Sequence, residues 1–362
     1  MIAVRVLIGL VGAWLVLFTV FSAIRSIVLP RATRVFITRA LFITMRRLFD
    51  TVAHERRTYE QRDRVLALYA PFTLLLLPFV WVTLTITGFT AIFWAAGVRP
   101  LSTAFLESGS SMLTLGFERP KGVGHGVLAF TEAALGFGLV ALLISYLPSM
   151  YAAFSRREAA VAMLETRAGN PPTPTKLLTR YIRIDWLESI DEELFPLWEQ
   201  WFVDVEESHT SLPALASFRS PLPGRSWIIA GGCVLDTAAL VASTLERPRS
   251  PRAEITVRSG YLCLRRIADV FSLPYDPEPA PTDPISVSRQ EWEEVCDELE
   301  AQGIPLKADR DAAWLSFAGW RVNYDAVLVG ISKIVVAPEA RWSSDRPGDR
   351  FMPPVIGRRR PR

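Results

Sequence analysis

The chain has 362 residues and carries 40 Lys+Arg against 37 Asp+Glu, a net charge of +3. That length suits two folded units, while so small a positive excess, with no arginine cluster on one recognisable element, excludes a nucleic-acid partner. The three cysteines, Cys233, Cys263 and Cys296, are far apart and lack metal-ligand spacing, which suits reduced thiols in the cytosol.

The apolar residues are unevenly spread. Met1 to about Phe154 is dominated by apolar runs, whereas Ser155 onward reads as an ordinary soluble sequence. The first run, Val6 to Ile24, has 19 uncharged residues, enough for a helix that crosses a bilayer. A signal peptide is the rival. No small-x-small cleavage site stands out, and "FSAIRSIVLPRATR" supplies arginines instead, so residues 1–30 read as an N-terminal transmembrane helix.

Residues 31–64 read as a cytoplasmic amphipathic linker. Arg25 to Arg64 contains ten arginines and four acids, which places it inside by the positive-inside rule. In "RVFITRALFITMRRLF", Val35, Phe36, Ala40, Ile43 and Leu48 lie among arginines, as in a helix resting on the inner leaflet. Arg34, Arg39, Arg46 and Arg47 lack the every-third-residue rhythm of a voltage sensor.

Residues 65–155 hold two more runs. Val65 to Val98 is 34 residues without a charge. As one helix it exceeds the ~30 Å hydrocarbon core, so it must tilt, extend or bend, with Pro71, Pro78 and Gly88 as the places to do so. Gly126 to Phe154 is interrupted only by Glu132 and closed by Arg156 and Arg157, again a cytoplasmic signal. Three spans then put Met1 and segment 99–125 outside and the C-terminal half inside.

Between these runs lies "PLSTAFLESGSSMLTLGFERP". Pro100 with Ser102 and Thr103 is helix-start chemistry, and Leu101, Phe105, Leu106 and Met112 give an apolar face. About twelve residues make ~18 Å of helix, which enters a membrane without crossing it. The chain must then turn back through "TLGF", and irregular backbone at membrane depth is tolerated only inside protein or along a water-filled path.

A span, a short helix, Thr-x-Gly-aromatic and a second span resemble the pore of the potassium-channel family, here with an extra N-terminal span. That resemblance implies an all-α membrane protein built on a pore-loop module, with backbone carbonyls of Thr114, Leu115, Gly116 and Phe117 replacing an ion's hydration shell. It implies a permeant cation, K+ or possibly Na+, no other cofactor, and a homotetramer in lipid, because one chain supplies one loop and a closed ring needs four. Phe117 is expected to wedge against surrounding helices. Glu118 stands where the family's second filter glycine would be, at the filter mouth.

Glu132 lies within the third span, where a carboxylate is costly and functional by default. It reads as a brace on the short helix through Ser108, Ser110 or Ser111, and Ser110 and Ser111 are expected to support the filter with it. Glu107 reads as a solvent-side residue or a second brace. Gly136, Gly138 and Pro148 offer a gating hinge; for the two glycines, close helix packing is an equal alternative.

Residues 156–340 read as a mainly helical cytoplasmic domain for assembly or gating. "REAAVAMLETRAG" continues the third span as helix and stops at Gly169 before "NPPTPT". "TKLLTRYIRIDWLESIDEELFPLWEQWFVDVEESH" has helical spacing, with Trp186, Leu187, Leu194, Trp198 and Phe202 as core candidates. "SWIIAGGCVLDTAALVASTL" reads as a buried helix rather than a fourth span because of Asp236 and the double glycine. "AEITVRSGYLCLRRIADVF" and "RQEWEEVCDELEAQG" add two helices, and 341–362 read as a basic tail without structure. Dinucleotide-binding and EF-hand signatures are absent. His54, His125 and His209 lack catalytic or metal-ligand partners in the sequence, so no enzyme is expected. A membrane-anchored signalling or scaffold protein with a non-conducting loop is the alternative reading.

Overall fold

The computed structural model describes residues 2–27, 35–53 and 57–346. These residues are helical throughout, and their only β feature is an isolated bridge between Leu245 and Leu306. The chain divides into two compact units, one of Met1–His54 with Leu68–Ala152, the other of Glu55–Ala67 with Ala153–Arg362.

In the first unit, α1 (Ile2–Ile27) packs along α4 (Tyr69–Ala96). Small residues permit the approach: a Cβ at Gly12 would stand 2.5 Å from the carbonyl oxygen of Gly88, and one at Gly88 would stand 2.7 Å from Val16. Arg5 Nη2 donates to the Ala95 carbonyl at 2.9 Å and fastens one end of the pair. Threonine hydroxyls on these apolar helices donate to carbonyls one turn back, as at Thr19, Thr73 and Thr85. Helix α2 (Phe36–Val52) packs against both through buried Ile37, and Tyr69 Oη donates to the Phe42 carbonyl at 3.0 Å. Of the face named from the sequence, Phe36 and Leu48 are exposed.

The 65–98 run is not one helix. It is divided at Leu68 between α3 (Tyr59–Ala67) and α4. The cause is Pro71, whose ring collides with the carbonyl four residues earlier, that of Ala67, where α3 ends. Pro78 lies inside α4 without ending it. After a left-handed Gly97 comes α5 (Leu101–Met112), twelve residues with Pro100 as N-cap. The third run forms α6 (Val123–Ala168), which continues through Pro148 for 46 residues and ends where Gly169, at φ 74°, donates back to the Glu165 carbonyl at 2.8 Å. The boundary between the units falls inside α6. Three segments, Ile2–Ile27, Tyr59–Ala96 and Val123–Ala168, are long and apolar enough to span a membrane.

The second unit is built around one helix. Following α7 (Pro174–Arg183) and α8 (Leu194–Ser211), α9 (Trp227–Ser243) is buried along nearly its whole length. Its 17 residues span ~26 Å, short of a bilayer core, and α7, α8, α10 (Pro251–Phe271), α12 (Arg310–Arg321) and α13 (Asp325–Ile334) pack around it. Asp236, 2% exposed at the middle of α9, is held by Arg321 Nη1 and by Tyr324 Oη at 2.8 Å. Arg321 also reaches Asp325 at 2.8 Å and the Trp342 carbonyl, so the charge that argued against a membrane span is paired inside the core of the second unit. Ser288 and Glu291 form a reciprocal cap on α11 (Arg289–Ala301).

Two expectations need correction here. The helical spacing read over 175–209 is not continuous, because the stretch folds as α7 and α8 separated by a 3-10 turn, Leu187–Ile190. Asp185 takes a left-handed φ of 54° and ends the run, which leaves Trp186 40% exposed instead of in the core, whereas Leu194, Trp198 and Phe202 are buried. Residues 341–346, assigned to the tail from the sequence, are folded into the second unit: Trp342 is buried, and Arg341 pairs with Glu294 and Glu298. The remainder of the sequence-assigned tail, 347–362, lies outside the described residues, as do His54 and residues 28–34.

Candidate functional site: the loop after the short helix

The first unit places α5 against α4 and buries its Ala104, Glu107, Ser108, Ser110 and Met112. The following loop is tied back to the end of α5 by main-chain bonds, Thr114 N to Ser111 O at 3.1 Å and Leu115 N to Ser110 O at 2.8 Å. Its backbone alternates: φ is 53° at Thr114 and 73° at Gly116, and not positive at Leu115 or Phe117. Gly116 takes such a φ freely, whereas Thr114 does so against the preference of a β-branched residue. No positive φ occurs at Glu118, so a side chain is accepted there without backbone strain.

The serines divide the work of support. Ser108 Oγ, fully buried, donates to Glu132 Oε1 at 2.5 Å and lies 3.0 Å from the Ile86 carbonyl on α4, so one hydroxyl joins α4, α5 and α6. Ser110 Oγ accepts from Glu118 N at 3.3 Å and holds the far end of the loop. Ser111 Oγ donates to the Glu107 carbonyl of its own helix and does not reach Glu132. Glu107 is 5% exposed, a correction to its solvent-side reading, because its face of α5 turns inward with Ala104 and Ser108. Glu107 Oε1 and Glu132 Oε2 have no hydrogen-bond partner among the described residues.

The loop's apolar side chains are uncovered in a single chain. Leu115 is 60% and Phe117 58% exposed, so Phe117 does not wedge against its own helices. The outer face of α6 is similarly bare at Phe130, Phe137 and Ile144. Gly136 and Gly138 occupy different surroundings. A Cβ at Gly136 would stand 2.2 Å from the Met112 carbonyl oxygen, whereas one at Gly138 would meet nothing within 4 Å. Gly136 is therefore a site of close packing between α5 and α6. Pro148 lies exposed inside the continuous α6.

Three residues of the second unit were not singled out for a role from the sequence. Arg157, which served only to orient the third span, is 2% exposed; it donates to the carbonyls of Leu215 at 2.9 Å and Phe218 at 2.8 Å, pairs with Glu158 at 2.7 Å and lies 3.1 Å from His209 Nε2. Ser220 and Arg225, in the loop before α9, line a small cleft. No sequence signal separates them from other loop serines and arginines. Among the described residues no group of three or more His, Cys, Asp or Glu is placed to hold a metal ion. No family model, curated protein or solved structure matches this chain.

Proposed function

We propose that this chain is one subunit of a homotetrameric, potassium-channel-like cation channel. Carbonyls of Thr114, Leu115, Gly116 and Phe117 from four copies form the filter, and the permeant ion is K+ or, with a less exacting filter, Na+ as well. The protein resides in the plasma (inner) membrane, and the second unit is a cytoplasmic domain for assembly or gating. The observation that carries this reading is the φ alternation at 114–117, set directly after a twelve-residue helix and between helices long enough to span a bilayer. A carbonyl row facing one way is what a dehydrated cation requires, and one chain provides one side of such a cage. The exposed Leu115, Phe117 and Phe137 support it further, because neighbouring copies would cover them.

Ser108 and Glu132 hold the filter helix from behind, and Gly136 fixes α6 against its C-terminal end. The test is K+ efflux from loaded liposomes carrying the purified full chain. Wild type releases K+, and Gly116→Ala, which strains a left-handed position, reduces or abolishes release. A wild type that leaks no cation and migrates as a monomer in mild detergent rejects the channel in favour of a membrane-anchored signalling or scaffold protein.

A further inference from the structure

Two helices carry the chain from one unit to the other: α3 runs into α4 at Leu68, and α6 crosses at Ala152 and Ala153. Inside the second unit both are fastened to one loop, residues 212–226, which leads from α8 to α9. On the α6 side, Arg157 Nη1 donates to the Leu215 carbonyl at 2.9 Å and Nη2 to the Phe218 carbonyl at 2.8 Å. The Phe154 and Phe218 rings meet there, 5.7 Å apart between centroids. Further along α6, Glu165 pairs with Arg225. On the α3 side, Arg219 pairs with Asp63 and donates to Tyr59 Oη at 3.2 Å.

The loop is stiff. Pro213, Pro221 and Pro223 restrict its backbone. Leu215 and Ala216 are buried, and Trp227 Nε1 donates to the Ala216 carbonyl at 3.2 Å. Gly224 takes a φ of 86°, and a Cβ there would stand 3.3 Å from the side chain of Asn170, just past the end of α6. Arg219 gives the loop a third anchor: its Nη2 donates to the carbonyls of Val335 at 2.7 Å and Val336 at 3.0 Å, where α13 ends. A cation at that position meets the negative end of the helix. Val336 holds a φ of 51°, which a β-branched residue adopts only at a cost.

We infer that the 212–226 loop is a coupling clasp, which holds α3 and α6 in one register so that a displacement of either helix, or of α13, reaches the other through Arg157, Arg219 and Arg225. A lone ion pair would fix one helix. Here Arg157 and Arg219 each bond main-chain carbonyls as well as a carboxylate, and packed, stiff elements pass strain on rather than absorb it. The Arg219–Asp63 side chains are only 11% and 10% exposed, so water and salt screen that pair little. A consequence for gating rests on the channel reading, because α3 leads into the second span and α6 continues the third; the clasp itself does not.

The test is amide hydrogen exchange of the detergent-purified full chain, with the perturbation on one helix and the reading on the other. Glu165→Gln breaks the α6 pair, and the amides of α3 exchange at least about tenfold faster, as for a charge-assisted bond lost from a shared opening unit. Asp63→Asn breaks the α3 pair, and the α6 amides between Phe154 and Glu165 respond in the same way. Arg249→Gln, which breaks the exposed pair with Glu254, changes neither helix. The amides of buried α9 keep their wild-type rates in every variant, which separates a loosened clasp from a loosened fold. Faster exchange confined to the mutated helix, or a rise in α9 equal to that in α3 and α6, overturns the coupling. In the efflux assay, Glu165→Gln and Asp63→Asn shift K+ release in the same direction, and the double variant shifts it less than the two single effects combined. Coupled exchange with unchanged efflux from a working channel ends the gating consequence and leaves the clasp standing.

Discussion

Two glycines only two residues apart should respond to alanine with opposite signs. At Gly136 the added Cβ would stand 2.2 Å from the Met112 carbonyl oxygen and 3.2 Å from Met112 Sδ. The oxygen is backbone at the end of α5 and cannot swing aside as a side-chain tip does. Ordinary contact needs more than ~3.4 Å, so α6 and α5 must separate by about 1 Å, with an overpacking cost of ~1–3 kcal/mol. At Gly138 nothing lies within 4 Å, and replacing a mid-helix glycine by alanine stabilises by ~0.5–1 kcal/mol. The assay is thermal or denaturant unfolding of the full chain in one detergent, followed by efflux. Gly136→Ala is expected to fall below wild type in stability and to displace the 113–118 loop, with reduced K+ efflux if that loop is the filter proposed above. Gly138→Ala is expected to match or exceed wild type in stability. Equal stability for Gly136→Ala and wild type would refute the close packing inferred at Met112.

Three further outcomes are expected. Ser108→Ala removes the buried donor to Glu132 Oε1, which costs ~1–3 kcal/mol and lowers efflux more than Ser111→Ala, whose hydroxyl serves only its own helix; equal effects in an efflux comparison contradict the assignment. Asp236→Ala removes one of the two carboxylates that hold buried Arg321 and leaves Tyr324 Oη without its acceptor, which costs ~1–3 kcal/mol, read as a lower unfolding midpoint; an unchanged midpoint would mean that Asp325 alone suffices. His209 is buried beside the Arg157 guanidinium and the Trp227 ring, and burial, followed by that positive charge, holds its pKa well below the usual 6.5. The unfolded chain takes up a proton near 6.5 while the folded chain does not, so stability is full above that pH and falls by about 1.4 kcal/mol per unit below it; His209→Gln should flatten the slope, and an unchanged slope rejects the cause.

The spans, the helix after Pro100 and the stop at Gly169 were legible because each rests on local signals: uncharged length, a capping proline and a left-handed glycine. The buried nature of α9 was legible because Asp236 and the paired Gly231 and Gly232 argued against a bilayer, although the 20-residue apolar stretch was long enough to invite one; the structure shortens the helix to 17 residues. The division at Leu68 was less so, because it depends on Pro71 acting on a carbonyl four residues earlier while Pro78 is tolerated within α4. Trp186 was misjudged because helical spacing continues across a turn that only the φ of Asp185 reveals. Within the site, a brace at Glu132 could be anticipated from its cost in an apolar run, but its partner could not: Ser108, Ser110 and Ser111 differ only in which way the α5 surface turns. The burial of Glu107 is a long-range fact, set by packing between segments far apart in the chain.

The central claim is that four copies of the 114–117 loop surround one axis. A density map of the purified full chain in lipid nanodiscs, with K+ present, tests it most directly. The account predicts fourfold symmetry, Gly116 among the residues nearest the axis and ion density between the loops. A monomer, another symmetry, or four loops turned outward to lipid would contradict it.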